Sequence, residues 1–451
     1  KALGALAGMM DVHCTPWWYR GSGQARARRQ TSSALRHTND NPGWCGRIPC
    51  RPVAGPYVCA RTSLTVVIEL ETLAAFDSHV RDAGELRNAV VQGVDLSART
   101  QALLSVDVAG AVFLGCTLEP SALGYLHSEE ALVFPRFPDL PFRAFRASLY
   151  DAGELFAGYV RGRPDTLQEA FDSQVYAWYH QRRGRADVVE HLAQRIHDHA
   201  IDDALRDFLA ADDRLTRVVA VMGGHSMGRD HPSFADVALL ARTLTRAGFV
   251  CASGGGPGAM EATNLGAWMA PHPDHALDEA LAVIAEAPAF EPVATWLDSA
   301  LEVRQRWPRP AGKGVSLGIP TWHYGHEPPN VFASHVAKYF ANSLREDGLL
   351  AIALAGVVFA PGSAGTIQEV FQDAAQNHYE SFGVVSPMVF FGVDYRTNFK
   401  PVYPLLATLA EGHAYGGLLA IHDSVDEIVS TVTRRASWAP SALPTNEGAG
   451  R

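Results

Sequence analysis

From residue 217 onward, short apolar runs alternate with longer segments in which apolar residues recur at helical spacing. The runs predict buried strands at 218–222, 249–251, 315–319, 357–360, 388–391 and 418–421. The other segments predict helices at 232–247, from about 259, and at 330–345, 366–380, 402–410 and 425–434. Because apolar strands that alternate with helices form a parallel sheet covered on both faces, we predict an α/β fold over residues 211–436, with a doubly wound, Rossmann-like parallel sheet.

The preceding part of the chain has a weaker pattern. A strand is predicted at 65–70 and an amphipathic helix at 187–209, so residues 63–210 are expected to form an additional N-terminal α+β domain. Small and apolar residues between 86 and 114 recur loosely every five positions, too irregularly to assign a β-helical coil. We expect a structural or regulatory role for this domain. Poor order is expected for the remaining segments, 1–62 and 437–451.

Composition narrows the class of protein. The 451 residues are 47% hydrophobic and 19% charged, which fits a globular chain of two or three domains. The net charge of −10 argues against sequence-independent nucleic-acid binding, which needs a basic surface. No apolar run approaches the roughly 20 residues of a membrane span, and no signal peptide with a clear cleavage site is recognisable. The six cysteines form no C-x-x-C pair. We therefore expect a cytoplasmic protein without a membrane partner, a metal site or a cofactor.

Two strands are followed by glycine-rich turns that lead into helices. One turn reads Ser-Gly-Gly-Gly-Pro-Gly at 253–258, and the other reads Pro-Gly-Ser-Ala-Gly-Thr at 361–366. A strand, a glycine turn and a helix start place free backbone N–H groups at the positive end of a helix dipole, which favours phosphate. One glycine turn is weak evidence, because a tight bend can also require glycine. Two such turns in one α/β domain predict a ligand with a phosphate and a sugar.

Glu369 lies in the first turn of the helix that follows the second glycine turn. The apolar residues of this helix share one side, and its polar residues Glu369, Asp373, Gln376 and Glu380 share the other. A carboxylate at this place is either an ordinary first-turn acid favoured by the helix dipole or a group that faces the ligand. The glycine turn before it favours the second interpretation.

These segments resemble a known family. Residues 253–262 and 361–369 resemble the paired signatures of the Lonely Guy (LOG) phosphoribohydrolases, long labelled lysine decarboxylases. Residues 223–226, Gly-Gly-His-Ser, and 328–330, Pro-Pro-Asn, are similar to segments of the larger bacterial nucleotide 5′-monophosphate nucleosidases of that superfamily. The resemblance covers about residues 217–410. It implies hydrolysis of the N-glycosidic bond of a nucleoside 5′-monophosphate, which gives a free base and ribose 5-phosphate.

The resemblance also implies roles for individual residues. Glu369 would be catalytic, together with an arginine on the preceding helix, for which Arg345 is the candidate although its spacing differs by one residue from the plant-type pattern. His225 and Ser226 follow the first strand, where ligand-facing loops of such sheets lie, and could contact base or phosphate. The substrate-binding set as a whole is Gly254, Gly255, Gly256, Gly258, Met260, Gly362, Ser363, Gly365, Thr366, His225 and Ser226.

Ser363 departs from the family pattern, because it replaces the second glycine of P-G-G-x-G-T. If that position needs a positive φ, a serine costs on the order of 1 kcal/mol. If it does not, the hydroxyl adds a donor for phosphate. The substitution therefore marks either a weakened enzyme or a changed specificity.

Three other functions compete with the nucleosidase. A non-catalytic module of the same fold could sense a nucleotide or carry a phosphorylated cofactor, but Glu369 would repel a phosphate bound beside it. The acidic balance disfavours a DNA-processing protein. A pyridoxal-dependent decarboxylase needs a Schiff-base lysine, and no cofactor-like context surrounds any of Lys1, Lys313, Lys338 and Lys400. The resemblance further implies a homodimer or larger homo-oligomer, and the apolar segment 331–340 suits either such a contact or the core.

Overall fold

The computed structural model describes residues 67–324 and 327–436, so the predictions for residues 1–62 and 437–451 lie outside the described part. The N-terminal portion of this part is a coil of four strands, in which each of the first three strands is followed by a helical segment. Its strands are β1 (Ile68–Leu70), β2 (Ala89–Gln92), β3 (Val112–Leu114) and β4 (Leu132–Phe134), and its helices are α1 (Leu73–Ala83), α2 (Thr100–Leu103) and α3 (Pro120–Ser128).

The four strands of the coil pair in parallel and in chain order, from β1 to β4. Val112 pairs with Val90 of the preceding strand and with Leu132 of the following one. One strand and the helical segment after it therefore make one turn of the coil, a longer unit than the five-residue recurrence in the sequence. Side chains such as Phe76, Leu103 and Phe113 fill a hydrophobic cluster of its own.

Three helices connect the coil to the second sheet: α4 (Ala152–Leu155), α5 (Phe171–Arg182) and α6 (Val188–Ala210). The start of α6 is fixed by a capping box, in which the Asp187 side chain accepts N–H groups of the first turn and the Glu190 side chain bonds back to the Asp187 backbone. The predicted helix at 187–209 is confirmed. The buried side of α6 packs into the same hydrophobic core as the second sheet.

The second sheet has seven parallel strands, and it confirms the predicted α/β class. These are β5 (Val218–Met222), β6 (Val250–Ser253), β7 (Ser316–Gly318), β8 (His335–Val336), β9 (Gly356–Phe359), β10 (Met388–Phe391) and β11 (Leu419–His422). Their spatial order is β11-β10-β9-β5-β6-β7-β8. The chain leaves β5 towards one edge of the sheet and β9 towards the other. A crevice is expected at such a reversal, at the carboxyl ends of the two strands.

Within the described part of the chain, eight helices surround this sheet: α7 (Pro232–Arg246), α8 (Ala259–Met269), α9 (Asp274–Ala285), α10 (Val293–Arg306), α11 (Asn342–Ala351), α12 (Ala364–His378), α13 (Val402–Leu409) and α14 (Val425–Ala436). Pro232 occupies the first position of α7, where its missing N–H costs nothing. None of the helices in the described ranges is long and apolar enough to cross a membrane.

The predicted helix at 330–345 is wrong in its first part. Asn330 does accept the N–H groups of Phe332 and Ala333, as a helix cap would. The chain then runs through β8 instead, and α11 begins only at Asn342. Residues 331–340 are mostly apolar and almost all buried, so periodicity could not separate a helix from a buried extended segment. The segment packs into the core of its own chain, which is one of its two expected roles, and not into a contact between subunits.

Candidate active site

Three loops meet at the carboxyl ends of β5, β6 and β9. The loop after β5 lies between the two glycine turns: Gly224 N donates to Pro361 O (3.1 Å), and Gly224 O accepts from Ala259 N (3.1 Å). An added Cβ at Gly223 would lie 2.6 Å from the Cβ of Ala259 and 3.2 Å from that of Ala360. The backbones therefore interlock at a distance that only glycine allows.

The first glycine turn, residues 253–258, is bent by Gly255 and Gly258, whose φ angles are 75° and 69°. Those values disfavour any residue with a Cβ. Gly254 has an ordinary φ, but an added Cβ there would lie 2.5 Å from both Arg345 Nη2 and Met260 Sδ. The structure thus brings Arg345 and Met260, two of the predicted site residues, against this turn.

Buried amides hold the first turn in place. Asn330 Nδ2 donates to Gly256 O (3.1 Å) and to Asn264 Oδ1 (2.9 Å), and Asn330 N donates to Gly255 O (2.8 Å). Ser253 Oγ donates to Asn264 Oδ1 (2.9 Å) and accepts from Gly255 N (3.2 Å). The carbonyls of Gly255 and Gly256 are therefore bonded within the protein. Asn264 was missed by the sequence prediction, because a buried polar residue inside a helix carries no motif.

The second glycine turn leads into α12, whose first turn is open. Its N-cap residue, Ser363, makes no side-chain capping bond, and Ser363 and Gly365 are exposed. An added Cβ at Gly365 would meet no other atom within 4 Å. The helix starts without a side-chain cap, and free space lies beside its positive end, as an anion site requires.

Ser363 is accommodated without backbone strain. Its φ is −103°, in a region open to any residue, so a glycine is not needed there. Gly362 is the position that requires glycine, since an added Cβ would overlap Thr366 Oγ1. Of the two interpretations of Ser363, the strained one is wrong. The Ser363 hydroxyl remains available as a hydrogen-bond donor beside the start of α12.

Three side chains from residues 395–400 support the second turn, and the sequence prediction missed them. Tyr395 Oη (2.5 Å) and Lys400 Nζ (2.7 Å) both donate to Gly362 O. The buried Arg396 donates from Nη2 to Phe359 O (3.1 Å) and Ala360 O (2.5 Å). Burial lowers the pKa of Arg396 to about 10, so it is still charged at neutral pH. Two cations thus lie beside the turn predicted to hold phosphate.

Glu369 lies in the second turn of α12, not in the first as predicted, because the helix already begins at Ala364. Arg345 is the fourth residue of α11, not the last residue of a helix as the sequence suggested. Arg345 Nε donates to Ile319 O at 3.3 Å. Burial raises the pKa of Glu369 to about 7, against the opposing effect of Arg345 and with a smaller contribution from Glu346. A carboxyl group with this pKa can exchange a proton near neutral pH, as a general base or acid must.

Hydrogen bonds between α11 and α12 fix the relative position of these two residues. Glu346, next to Arg345, accepts from Gln368 Nε2 (3.0 Å), next to Glu369. Its other carboxylate oxygen accepts from Tyr324 Oη at 2.8 Å. Neither contact could be read from spacing, because each joins residues 22 positions apart.

The loop after β5 places His225 and Ser226 at the exposed side of the crevice. His225 Nδ1 lies 4.0 Å from Glu327 Oε1. His225 and Ser226 line a cavity of about 340 Å³ with Pro257 and Phe290. None of the contacts of His225 and Ser226 links them to Glu369.

Glu327, also missed by the sequence prediction, adds a carboxylate to the site besides Glu369. It lies at the first glycine turn, since an added Cβ at Gly256 would lie 3.8 Å from its Oε2.

The prediction that Asp373 lies on the exposed, polar face of α12 is wrong. It is buried, whereas the pattern placed it with Glu369 and Glu380 on the outer side. Burial raises its pKa well above the usual range of an aspartate. The buried stripe of α12 is Thr366, Val370, Asp373, Ala374 and Asn377. From the sequence pattern alone, a polar residue on the buried face of a helix is assigned to the exposed face.

Comparison with known proteins leaves the family open. No family model and no curated protein matches the chain. Solved structures that match include the molybdenum cofactor binding protein of Rippkaea orientalis, at 14% identity and a TM-score of 0.30 over 48% of this chain and 96% of that one. The molybdenum cofactor carrier protein of Chlamydomonas reinhardtii matches at 13% identity and a TM-score of 0.30, over 49% and 98% of the two chains. Similarity at this level carries no argument about what this chain does.

Proposed function

We propose that this protein hydrolyses the N-glycosidic bond of nucleoside 5′-monophosphates to a free base and ribose 5-phosphate. The observation that carries the proposal is Glu369, a carboxyl group with a pKa of about 7 that lies near Arg345, one turn after an open helix N-terminus. The LOG resemblance of the two glycine turns supports the same reaction.

The second glycine turn would hold the phosphate. Free N–H groups at the start of α12 and the Ser363 hydroxyl can donate to it, and the α12 dipole favours negative charge. Lys400 adds a positive charge through its bond to Gly362 O. The first glycine turn, with Met260 and Arg345 against it, would then lie beside the sugar and base.

Glu369 would act on the sugar. Cleavage of the C1′–N bond builds oxocarbenium-like charge, which a carboxylate stabilises. The carboxylate takes a proton from the attacking water as the water oxygen bonds to C1′. The electron pair of the broken bond leaves with the base nitrogen, which takes up a proton. General-base assistance of this kind contributes about 10²–10⁴ in rate. Arg345 would anchor the phosphate or orient the carboxylate.

The direct test is chromatographic detection of free base from purine, pyrimidine and N6-substituted adenine nucleoside 5′-monophosphates. Wild type is expected to release base from monophosphates and not from the matching nucleosides. Glu369→Gln should lose activity by about 10²–10⁴ while it still binds nucleotide. Glu380→Gln, an exposed change just after the same helix, is the matched control and should behave as wild type. Nucleotide binding without base release would instead show a sensor or carrier.

A further inference from the structure

A second cavity, separate from the glycine turns, lies where α5 and α6 approach the start of α11. It has a volume of about 510 Å³, within the range of small-molecule sites. Its wall includes three arginines, Arg182, Arg183 and Arg195, and two histidines, His191 and His323. Neither the sequence motifs nor the proposed nucleosidase reaction uses these residues.

Two of the three arginines have no carboxylate partner within the described residues. Arg182 is neutralised by an ion pair with Glu190. Arg183 has only the His323 ring within hydrogen-bond distance, at 3.4 Å, and Arg195 forms no ion pair within 67–324 and 327–436. Guanidinium groups are always charged and offer paired donors that match phosphate oxygens. The cavity therefore presents two guanidinium groups that no carboxylate in the described part of the chain contacts directly.

The start of α11 adds backbone donors to the same cavity. Asn342 and Ser343, its first two residues, line the wall, and its N-cap residue Ala341 makes no side-chain capping bond. The positive end of a ten-residue helix therefore points at the arginine side chains.

The acidic group in the wall, Asp198, offsets only part of this positive charge. Asp198 accepts N–H bonds from Phe340 and Ala341, each at 2.9 Å, and its carboxylate lies 3.2 Å from His197 Nδ1. Its negative charge therefore offsets part of the positive end of α11 and one of the two unpaired arginines, so the wall keeps one positive charge in excess. Burial, and to a smaller extent the neighbouring Arg183, lowers the pKa of His323, while Glu346 acts in the opposite direction.

We propose that this cavity binds the phosphate group of a small phosphorylated molecule, held by Arg183, Arg195 and the N-terminus of α11. The bound molecule would lie about one helical turn before Arg345, which is on the same helix. The site goes beyond the proposed reaction, and binding there does not depend on that reaction taking place.

Isothermal titration with inorganic pyrophosphate, at fixed ionic strength in phosphate-free buffer, tests the site. Wild type is expected to bind, and Arg183→Gln and Arg195→Gln should each weaken binding by about tenfold or more, because each removes charge-assisted hydrogen bonds. Both side chains are exposed, so the variants should fold. Arg185→Gln, an exposed arginine of the same loop outside the cavity wall, is the control and should bind as wild type.

A further variant separates this site from the glycine turn. Gly365→Asp places a carboxylate at the open start of α12, where an anion would be repelled. Pyrophosphate binding that survives Gly365→Asp and is lost in the two arginine variants supports the proposal. Unchanged binding in both arginine variants, binding lost only in Gly365→Asp, or no binding by wild type would each overturn it.

Discussion

At the scale of single residues, Lys400 illustrates how a distant side chain can supply the charge of an anion site. Its ammonium group bonds to Gly362 O, inside the turn that would hold phosphate. Lys400→Met is expected to raise the KM for a nucleoside monophosphate about tenfold or more, because it removes a charged hydrogen-bond donor, with a smaller effect on kcat. Steady-state kinetics measure the split.

Lys313→Met is the matched control for that prediction. Lys313 is exposed and precedes β7, at the amino end of the sheet and away from the glycine turns. It should leave KM unchanged. An unchanged KM in Lys400→Met would remove this lysine from the phosphate site.

Ser363 gives a second prediction at this scale. Because its φ of −103° needs no glycine, Ser363→Gly should not stabilise the fold, and it adds backbone freedom to the unfolded chain. We expect the free energy of unfolding to stay equal or to fall by up to about 1 kcal/mol. Urea denaturation measures this, and a clear gain in stability would show that serine is strained there.

At the scale of elements, the glycine turns differ in what each glycine does. Gly258 has a φ of 69°, and an added Cβ would overlap the carbonyl oxygen of Gly224. Gly258→Ala is expected to cost about 2 kcal/mol or more and to abolish activity, since it forces two interlocked loops apart. Thermal unfolding and base release measure the two effects.

Gly365→Ala is the contrasting change. Its Cβ would meet no protein atom, and alanine favours a helix over glycine by up to about 1 kcal/mol. Stability should hold or rise, while nucleotide affinity falls because the methyl group enters the space beside the helix start. Unchanged affinity would mean that the phosphate does not lie there.

The elements also show what sequence reasoning could and could not reach. The strand, glycine turn and helix order was predictable, because apolar runs and glycine spacing are local signals. The segment 331–340 was not, since uniform burial hides the period that separates helix from extended chain. Asp373 was misplaced because a buried acid is indistinguishable from a surface one in a helical pattern. Tyr395, Arg396 and Lys400 reach the second turn only through tertiary folding, from about 35 residues further along the chain.

At the scale of the whole molecule, an acidic cluster joins the N-terminal coil to α6. Burial, together with Asp207, Glu69 and Asp203, raises the pKa of Glu71 from 4.5 to about 7. The folded state therefore binds this proton more tightly than the unfolded state does. The stability from this group is fully present below about pH 4.5 and is lost as the pH rises through about 7.

Glu71→Gln removes that pH dependence. The variant should melt about 1–3 °C above wild type at pH 8, a modest shift because solvent screens a partly exposed group. At pH 5 the two should melt together. Glu129→Gln, an exposed change in the same coil, should match wild type at both pH values. A wild type that is at least as stable as Glu71→Gln at pH 8 would contradict this account of the cluster.

The measurement that tests the central claim most directly is the pH dependence of base release from the preferred nucleoside monophosphate. If ionised Glu369 assists the attacking water, kcat/KM of wild type should be low at pH 5, rise through about pH 7 and level off above it, following the pKa of Glu369. Glu369→Gln should lose about 10²–10⁴ of the plateau rate and the inflection with it. No release of base at any pH, or a Glu369→Gln variant with the wild-type profile, would contradict the account.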